Sequence, residues 1–353
     1  WGLSRHSAGL CVRFVTDVLW KSPIGLRLNA QTTAGVVQTR DWVNVRGDQL
    51  SVRDGQYDLR ITAELWETHY FDHVALMVVD HPAGTEVRVD ERIAVPPPPL
   101  EVRVTGPSRP IARAVDDAGR DVTDRVVARD GVYLDTFARG AYQGITADHH
   151  VEVALPEGTA DGDVLVASGW VYPTDSSVNV AISQGVHEAP RDLSLEVPDG
   201  RGGWTVARPH LGFPAGKHKT MLIDLAGLYG GAAADGPRRL RLRTNMEVYW
   251  DSLAVATPLP DAELRRRTLP AASADLRYRG FSYTNYTDGT GSRTEPEVPD
   301  YDRLSGPGQM WPDLVGFYTR FGDVRPLLAD VDDRYVILNA GDYEGRSDDL
   351  DFV

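Results

Sequence analysis

Val164-Leu165-Val166-Ala167 is the first of six strand-like segments that lie between Val151 and Ala256, and clusters of Gly, Pro, Asn and Asp separate these segments. The other five are Val178-Asn179-Val180-Ala181-Ile182, Leu193-Ser194-Leu195-Glu196-Val197, Thr220-Met221-Leu222-Ile223-Asp224-Leu225, Arg239-Leu240-Arg241-Leu242-Arg243 and Val248-Tyr249-Trp250-Asp251-Ser252-Leu253-Ala254-Val255. Short apolar or alternating runs at this regular spacing are typical of an antiparallel β-sandwich. The stretch therefore predicts a sandwich with almost no helix.

The whole chain is predicted to be all-β, with two β-sandwich domains of the jelly-roll or immunoglobulin-like type. Residues 1–94 form the first β domain, indicated by the alternation in residues 59–65 and the apolar run in residues 74–79. Pro96 to Pro99 favour polyproline II, so residues 95–104 are predicted to be a stiff linker. The second sandwich follows at residues 105–257, and residues 258–353 are predicted to be a loop-rich C-terminal extension.

Charge and composition exclude several classes of partner. The formal net charge of -14 over 353 residues argues against a general nucleic-acid binder or a binder of anionic membranes, since both need a basic surface. No apolar run reaches the length of about 18 to 20 residues that a membrane-spanning helix needs. Cys11 is the one cysteine, so neither an intramolecular disulfide nor a multi-cysteine zinc site is expected. No cofactor is predicted.

Aromatic side chains supply the candidate ligand-binding residues. Rings next to Asp or Asn are typical of sugar recognition, because the ring stacks on the apolar face of a sugar and the polar group bonds its hydroxyls. The alternative for each of these rings is packing in the core, and Trp250 fits that alternative best. Tyr172 and Asp175 are expected to be exposed in a loop. The predicted ligand-binding residues are Trp170, Tyr172, Asp175, Asn179 and Trp204.

Three histidines, His69, His73 and His81, are weak candidates for metal ligands. A His-x-x-x-His spacing on a helix would place two imidazoles on one face, as zinc sites require. The flanking residues indicate a strand instead, where the α-carbons of residues 69 and 73 would lie about 13 Å apart. The alternative is that these are ordinary histidines of turns or interfaces.

Three further segments resemble the C-terminal region of bacterial FG-GAP/ASPIC-UnbV-type multi-domain proteins. They are Glu64-Leu65-Trp66-Glu67-Thr68-His69-Tyr70-Phe71-Asp72-His73 followed by Val79-Asp80-His81-Pro82, then Gly169-Trp170-Val171-Tyr172-Pro173-Thr174-Asp175-Ser176-Ser177, and Tyr318-Thr319-Arg320-Phe321-Gly322-Asp323-Val324. The resemblance implies an exported interaction protein, and hence a periplasmic or secreted location. The chain contains no Asp-x-Asp-x-Asp-Gly loop, so the calcium sites of the propeller in such proteins are not assigned to it.

Residues 193–255 are also similar to galactose-binding-like jelly rolls. The similarity lies in the order of a strand, Asp199-Gly200 with Trp204, two further strands, and Tyr249-Trp250-Asp251. Domains of this kind bind sugars, lipids or proteins through loops at one end, and some bind nothing.

The leading functional hypothesis is a non-catalytic binding or scaffolding protein that contacts a protein partner or a glycan. It includes the case of a structural subunit in a larger assembly. The alternative is a hydrolase or lyase that acts on polysaccharide, with the sandwich as an accessory module. A glycosidase needs two carboxyl groups that face each other across a cleft, and the adjacent pairs Asp116-Asp117, Asp332-Asp333 and Asp348-Asp349 give no indication of one.

Overall fold

The computed structural model describes residues 6–15, 31–32, 35–36, 39–46, 50, 52–62, 68–94, 98–172, 174, 176–214, 218–229, 238–278, 282–285, 298–304, 319–332, 334–339 and 348–352. Contacts divide the chain into two units. The first comprises Trp1–His81, Leu264–Ser292 and Glu297–Val353, and the second comprises Pro82–Glu263 and Arg293–Pro296.

The strands of the first 81 residues are β1 (His6–Val15), β2 (Gln31–Thr32), β3 (Gly35–Val36), β4 (Thr39–Arg46), β5 (Val52–Arg53), β6 (Gln56–Tyr57), β7 (Leu59–Thr62) and β8 (Thr68–Asp80). The second unit contains β9 (Glu86–Arg88), β10 (Arg92–Ile93), β11 (Arg103–Thr105), β12 (Arg109–Pro110), β13 (Arg113–Asp116), a 3-10 helix (Thr123–Arg125), β14 (Ile145–Ala154), β15 (Val164–Val171), helix α1 (Ser176–Gln184), β16 (Ser194–Pro198), β17 (Trp204–Arg208), β18 (Phe213–Pro214), β19 (Lys219–Asp224), β20 (Arg239–Met246) and β21 (Val248–Ala256). The remaining elements are β22 (Arg265–Pro270), β23 (Ala274–Tyr278), β24 (Ser282–Asn285), β25 (Val298–Leu304), β26 (Gly322–Asp323), helix α2 (Arg325–Leu328), β27 (Val336–Asn339) and β28 (Asp348–Phe352). The predicted all-β class is confirmed.

In the first unit, strands from both ends of the sequence share sheets. Strand β8 pairs antiparallel with β1, β22 and β27, and β28 lies between β7 and β23. One core cluster joins Phe71 and Val74 of β8 with Leu276, Val336 and Leu338 from the C-terminal residues. The residues that the sequence assigned to an extension therefore contribute strands to the N-terminal sheets.

A two-residue turn at Asp54-Gly55 joins β5 and β6. Both residues have positive φ, 50° and 80°, and Arg53 faces Gln56 across the ladder. Glycine tolerates this left-handed backbone because it has no Cβ, and aspartate tolerates it better than most residues do.

The second unit contains two antiparallel sheets. The four-stranded sheet has the order β12-β21-β15-β19, and the five-stranded sheet has the order β13-β14-β20-β16-β17. Strand β20 alternates in the expected way, with Leu240 and Leu242 buried while Arg241 and Arg243 remain partly exposed. Every residue of β15 is buried, which fits its nearly continuous apolar sequence.

The edge of the four-stranded sheet at β19 is covered by two carboxyl groups. The backbone N–H of Thr220 donates to Glu91 Oε2 at 3.0 Å, and that of Leu222 donates to Asp90 Oδ1 at 3.3 Å. Burial raises the pKa of Asp90 to about 6, against the opposing effect of Arg92. Because an open edge offers backbone groups to other chains, this cover protects β19 from such pairing.

Part of the predicted proline-rich linker lies within the second unit. Residues 98–104 are described, and Arg103 begins strand β11, which pairs with β9. The backbone oxygen of Val104 accepts a hydrogen bond from Leu259 N–H at 2.8 Å, and the Val104 side chain is buried. Residues 102–104 therefore pack like the strands around them.

The strand predicted at Val178–Ile182 is wrong, since these residues belong to helix α1. The segment has β-branched apolar residues at alternate positions, Val178, Val180 and Ile182, but Val178 and Ile182 are also four residues apart and lie on one face of a helix. Five residues are too few to distinguish the two-residue period of a strand from the 3.6-residue period of a helix.

Gly169 lies at a bulge where β15 meets β21, and a methyl group there has no room. A Cβ atom would contact the backbone oxygen of Tyr249 and lie 3.2 Å from the Cα of Trp250. We expect Gly169→Ala to lower the free energy of unfolding by about 3 kcal/mol, measured by urea denaturation with tryptophan fluorescence.

Gly162→Ala is the matched control, because nothing lies within 4 Å of its added methyl group. Its effect should stay within about 0.5 kcal/mol. Equal stability of the two variants would show that the close approach of β15 and β21 is not as described.

Candidate functional site

A tight hairpin over residues 138–147 lies at one end of the two sheets of the second unit. Ala147 N–H donates to Ala138 O at 2.9 Å, and Gly140 N–H donates to Ile145 O at 2.7 Å. A Cβ on residue 140 would lie 2.8 Å from that same oxygen, and Gly144 has a φ of 77°. Both glycines are therefore needed for this backbone.

Glu247 anchors the hairpin through hydrogen bonds and an ion pair. It lies between β20 and β21 and is fully buried. Its carboxyl oxygens accept hydrogen bonds from Gly144 N–H at 3.2 Å and from the hydroxyl of Tyr249, and they pair with Arg139 Nε at 3.4 Å. Its backbone N–H donates to Gly144 O, and its backbone oxygen accepts from Tyr172 N–H. One residue thus fixes the hairpin and the chain that leaves β15.

An aromatic cluster lies beside Glu247. The rings of Trp170 and Tyr249 stack with centroids 4.6 Å apart, and Tyr133 and Tyr172 meet the Trp170 ring edge-on at 6.4 and 5.9 Å. Phe137 completes the cluster against Tyr249. Burial, and then the hydrogen bond to Glu247, raise the pKa of Tyr249 far above its ordinary value. Tyr249 therefore stays a neutral hydroxyl that donates to Glu247.

A pocket of about 280 Å³ opens between the hairpin, the end of α1 with the segment after it, and Asn245 of β20. The rings of Tyr142 and His187 meet edge-on in it, with centroids 4.8 Å apart. Arg139 and Glu188 supply charge, and Ile182 supplies an apolar surface. The volume lies near the lower end of the range for small-molecule sites.

The amide of Asn245 lines the pocket but is occupied in holding the segment that leads to β16. Its Oδ1 accepts from Arg191 N–H at 2.6 Å, and its Nδ2 donates to Ala189 O at 3.0 Å. Glu188 pairs with Arg191 at 3.0 Å. The wall that carries His187 is therefore anchored to β20.

The structure brings three of the predicted ligand-binding residues to this end and separates a fourth. Trp170 is a core residue, Tyr172 packs half-buried on it, and Asn179 lies in α1. Trp204 lies instead on β17 in the five-stranded sheet, where the guanidinium groups of Arg241 and Arg239 approach its ring to 4.0 and 5.6 Å. Asp175 lies outside the described residues.

Several buried polar atoms in this stretch lack a hydrogen-bond partner in the part of the chain that the structure describes. They are Nε1 of Trp170, Oγ1 of Thr174, and both amide atoms of Asn179. Such atoms are rare in native proteins and call for a water, an ion or a ligand that completes them.

The three candidate metal histidines lie on or just after β8. The Nδ1 of His73 donates to Leu328 O at 2.9 Å, His81 is buried, and the backbone of His69 pairs with Leu338. Within the described ranges, no group of three or more His, Cys, Asp or Glu side chains is arranged to hold a metal ion.

Sequence reasoning missed Arg139, Tyr142, His187 and Glu247. The one local signal for Glu247 was the polar pair of Asn245 and Glu247 between two apolar strands. Arg139, Tyr142 and His187 lie in loops, where no helical or strand periodicity indicates which side chains lie close together in the fold.

No family model matches the chain. A curated arginine–tRNA ligase of Roseobacter denitrificans is 34% identical over 128 residues, which is 33% of this chain and 21% of the ligase. The chain thus spans about a fifth of the length of the curated relative it matches. This similarity covers too little of either protein to show a family. Among the described helices, none is long and apolar enough to cross a membrane.

We expect Glu247→Ala to lower the free energy of unfolding by about 3 kcal/mol, because it leaves the buried Gly144 N–H and Tyr249 hydroxyl without their acceptor. Urea denaturation measures this. Glu188→Ala, which removes a carboxyl group that is 63% exposed, should change the free energy by less than about 0.5 kcal/mol. A Glu247 variant as stable as wild type would contradict the anchoring role.

His149 makes the stability of the second unit depend on pH. It stacks on Phe137 at 4.7 Å, and burial lowers its pKa below the ordinary value. As the pH falls below about 6.5, the ordinary pKa of histidine, His149 is protonated in the unfolded chain before it is protonated in the folded one. The free energy of unfolding is therefore highest above that pH and decreases as the pH falls.

We expect His149→Gln to reduce the loss of stability between pH 7 and pH 5 relative to wild type. Thermal denaturation across that range measures the difference. An identical pH dependence of the two proteins would show that His149 is not kept neutral by its surroundings.

Proposed function

We propose that this chain is a non-catalytic binding protein whose second unit engages a glycan in the pocket between the 138–147 hairpin and α1. The observation that carries the proposal is the pocket itself, where the rings of Tyr142 and His187 lie beside Arg139 and Glu188. Aromatic rings offer faces to the apolar side of a sugar, and the charged groups bond its hydroxyls.

The surroundings of the pocket support binding. Arg139, Tyr142 and His187 lie in loops of its wall, and Glu247 and Asn245 tie these loops to the strands through buried and partly buried hydrogen bonds. Loops held on a rigid scaffold are where binding residues concentrate. A site whose walls are already held loses little entropy when a ligand arrives.

The sequence supports this proposal and indicates the location, ligand class and partners of the chain. The resemblance to the C-terminal region of FG-GAP/ASPIC-UnbV-type proteins supports an extracytoplasmic interaction protein, periplasmic or secreted. The similarity of residues 193–255 to galactose-binding-like jelly rolls supports a saccharide as the ligand. The net charge of -14 supports partners other than nucleic acid. The chain would then act as a binding module, free or as a subunit of a larger assembly.

Binding of the full chain to an immobilised panel of oligosaccharides tests the proposal. We expect Tyr142→Ala and His187→Ala each to weaken binding about tenfold, since a lost ring contact is worth about 1.4 kcal/mol. Tyr278→Ala, which removes an exposed ring of the first unit, should bind as wild type does. The proposal fails if the wild type binds no saccharide, or if the two pocket variants bind as tightly as the control.

A further inference from the structure

The pocket between the 138–147 hairpin and the segment after α1 is small for a carbohydrate chain. Its volume of about 280 Å³ lies just below the range of about 300 to 1,000 Å³ that is usual for sites of drug-sized ligands. A ligand of about one or two sugar rings matches a site at this end of the range. Any longer part of a glycan chain has to remain outside the pocket.

One side of the pocket is closed by a contact between its two rings. The ring of Tyr142 comes from the hairpin and that of His187 from the segment after α1, and both line the pocket. Their planes meet at 83° with centroids 4.8 Å apart, so the edge of one ring touches the face of the other. A sugar ring cannot pass between them, and a glycan chain therefore cannot run through the pocket on this side.

Both sides of this ring contact are held by the sheets. The hairpin that carries Tyr142 is anchored by Glu247, which accepts a hydrogen bond from Gly144 N–H at 3.2 Å. The segment that carries His187 is anchored by Asn245, which accepts a hydrogen bond from Arg191 N–H at 2.6 Å. The closed side is thus already in place before a ligand binds, and the ligand need not order it.

The charged side chains of the pocket already have partners of opposite charge. Arg139 Nε lies 3.4 Å from a carboxyl oxygen of Glu247, and Glu188 lies 3.0 Å from Arg191 Nε. These four charges sum to zero. A carboxylate that enters the pocket would lose its hydration and meet guanidinium groups that already face carboxylates, which makes its burial costly. A neutral hydroxyl group has no such cost, because it both donates and accepts hydrogen bonds.

We infer that the pocket takes the end of a neutral glycan chain, about one or two sugar rings, rather than the middle of a chain or an acidic sugar. This inference rests on the proposed function and names the part of a glycan that the same pocket binds. The closed side selects the end of a chain, the volume limits the number of rings, and the paired charges select a neutral sugar.

Titration calorimetry of the full chain with disaccharides and linear hexasaccharides of the gluco, manno and galacto types tests the inference. For the sugar that binds best, the affinity of the disaccharide should lie within about threefold of that of the hexasaccharide, a difference of less than about 1 kcal/mol. A long linear polymer of the same sugar should carry one protein molecule per chain at saturation. Digalacturonate should bind at least about tenfold more weakly than the best neutral disaccharide.

Ala141→Leu tests whether the chain end lies in the pocket, because Ala141 is exposed on the hairpin and its larger side chain would occupy part of the pocket. The affinity for the neutral disaccharide should fall about tenfold. Ala181→Leu is the matched control, since Ala181 is an exposed residue of α1 that does not line this pocket. This variant should bind as wild type does, and both variants should melt near the wild-type temperature.

The outcomes distinguish this inference from the proposed function. A hexasaccharide that binds more than about tenfold tighter than the disaccharide, or several protein molecules on one polymer chain, would overturn the inference. A preference for digalacturonate, or an Ala141→Leu variant that binds as wild type does, would overturn it as well. If Tyr142→Ala still weakens binding in these cases, the proposed function stands without it. If wild type binds no saccharide at all, both proposals fail.

Discussion

The buried carboxyl group of Glu247 is the constraint on which the end of the second unit depends. A carboxyl group without contact to water must find its hydrogen bonds within the protein. Glu247 finds them in Gly144, Tyr249 and Arg139, while its backbone bonds Gly144 and Tyr172. The hairpin, the aromatic cluster and the chain that leaves β15 are therefore positioned by one residue between two strands.

The sequence was sufficient to predict the class of the fold because strands carry a local period. In β20, buried Leu240 and Leu242 alternate with Arg241 and Arg243, and this pattern is visible without any structure. The pairing of β22 and β27 with β8 was not visible, since strand pairing between residues 185 to 271 positions apart leaves no local signal. The same limit explains the error at Val178–Ile182, where five residues satisfied both periods.

The candidate site was predicted only in part, for a related reason. Aromatic rings near Asp or Asn drew attention to Trp170, Tyr172 and Trp204, and the structure places the first two beside Glu247 and the third on β17. The sequence shows which aromatic rings and polar groups the chain contains. Only the folded structure shows which of these side chains lie close together. Tyr142 and His187 are 45 positions apart in the sequence numbering and meet only because the hairpin and the segment after α1 lie at the same end of the sheets.

The second unit combines a frame of two sheets with one end that carries the candidate site. The two sheets have buried inner residues and a protected edge at β19, while the end near Glu247 combines a pocket, an aromatic cluster and buried polar atoms without partners. The five-stranded sheet offers a competing surface, where Trp204 lies against Arg239 and Arg241. There, however, the guanidinium group of Arg241 lies 4.0 Å from the centre of the Trp204 ring, so a side chain of the protein itself already covers one face of that ring.

Hydrogen–deuterium exchange of the full chain, with and without a neutral hexasaccharide, tests most directly whether the end held by Glu247 is the binding site. We expect slower exchange of amides in residues 138–147 and 176–188 on addition of the saccharide, with no change in residues 204–208 and 239–243. Protection confined to residues 204–208 and 239–243 would contradict it and would place the ligand on the Trp204 face.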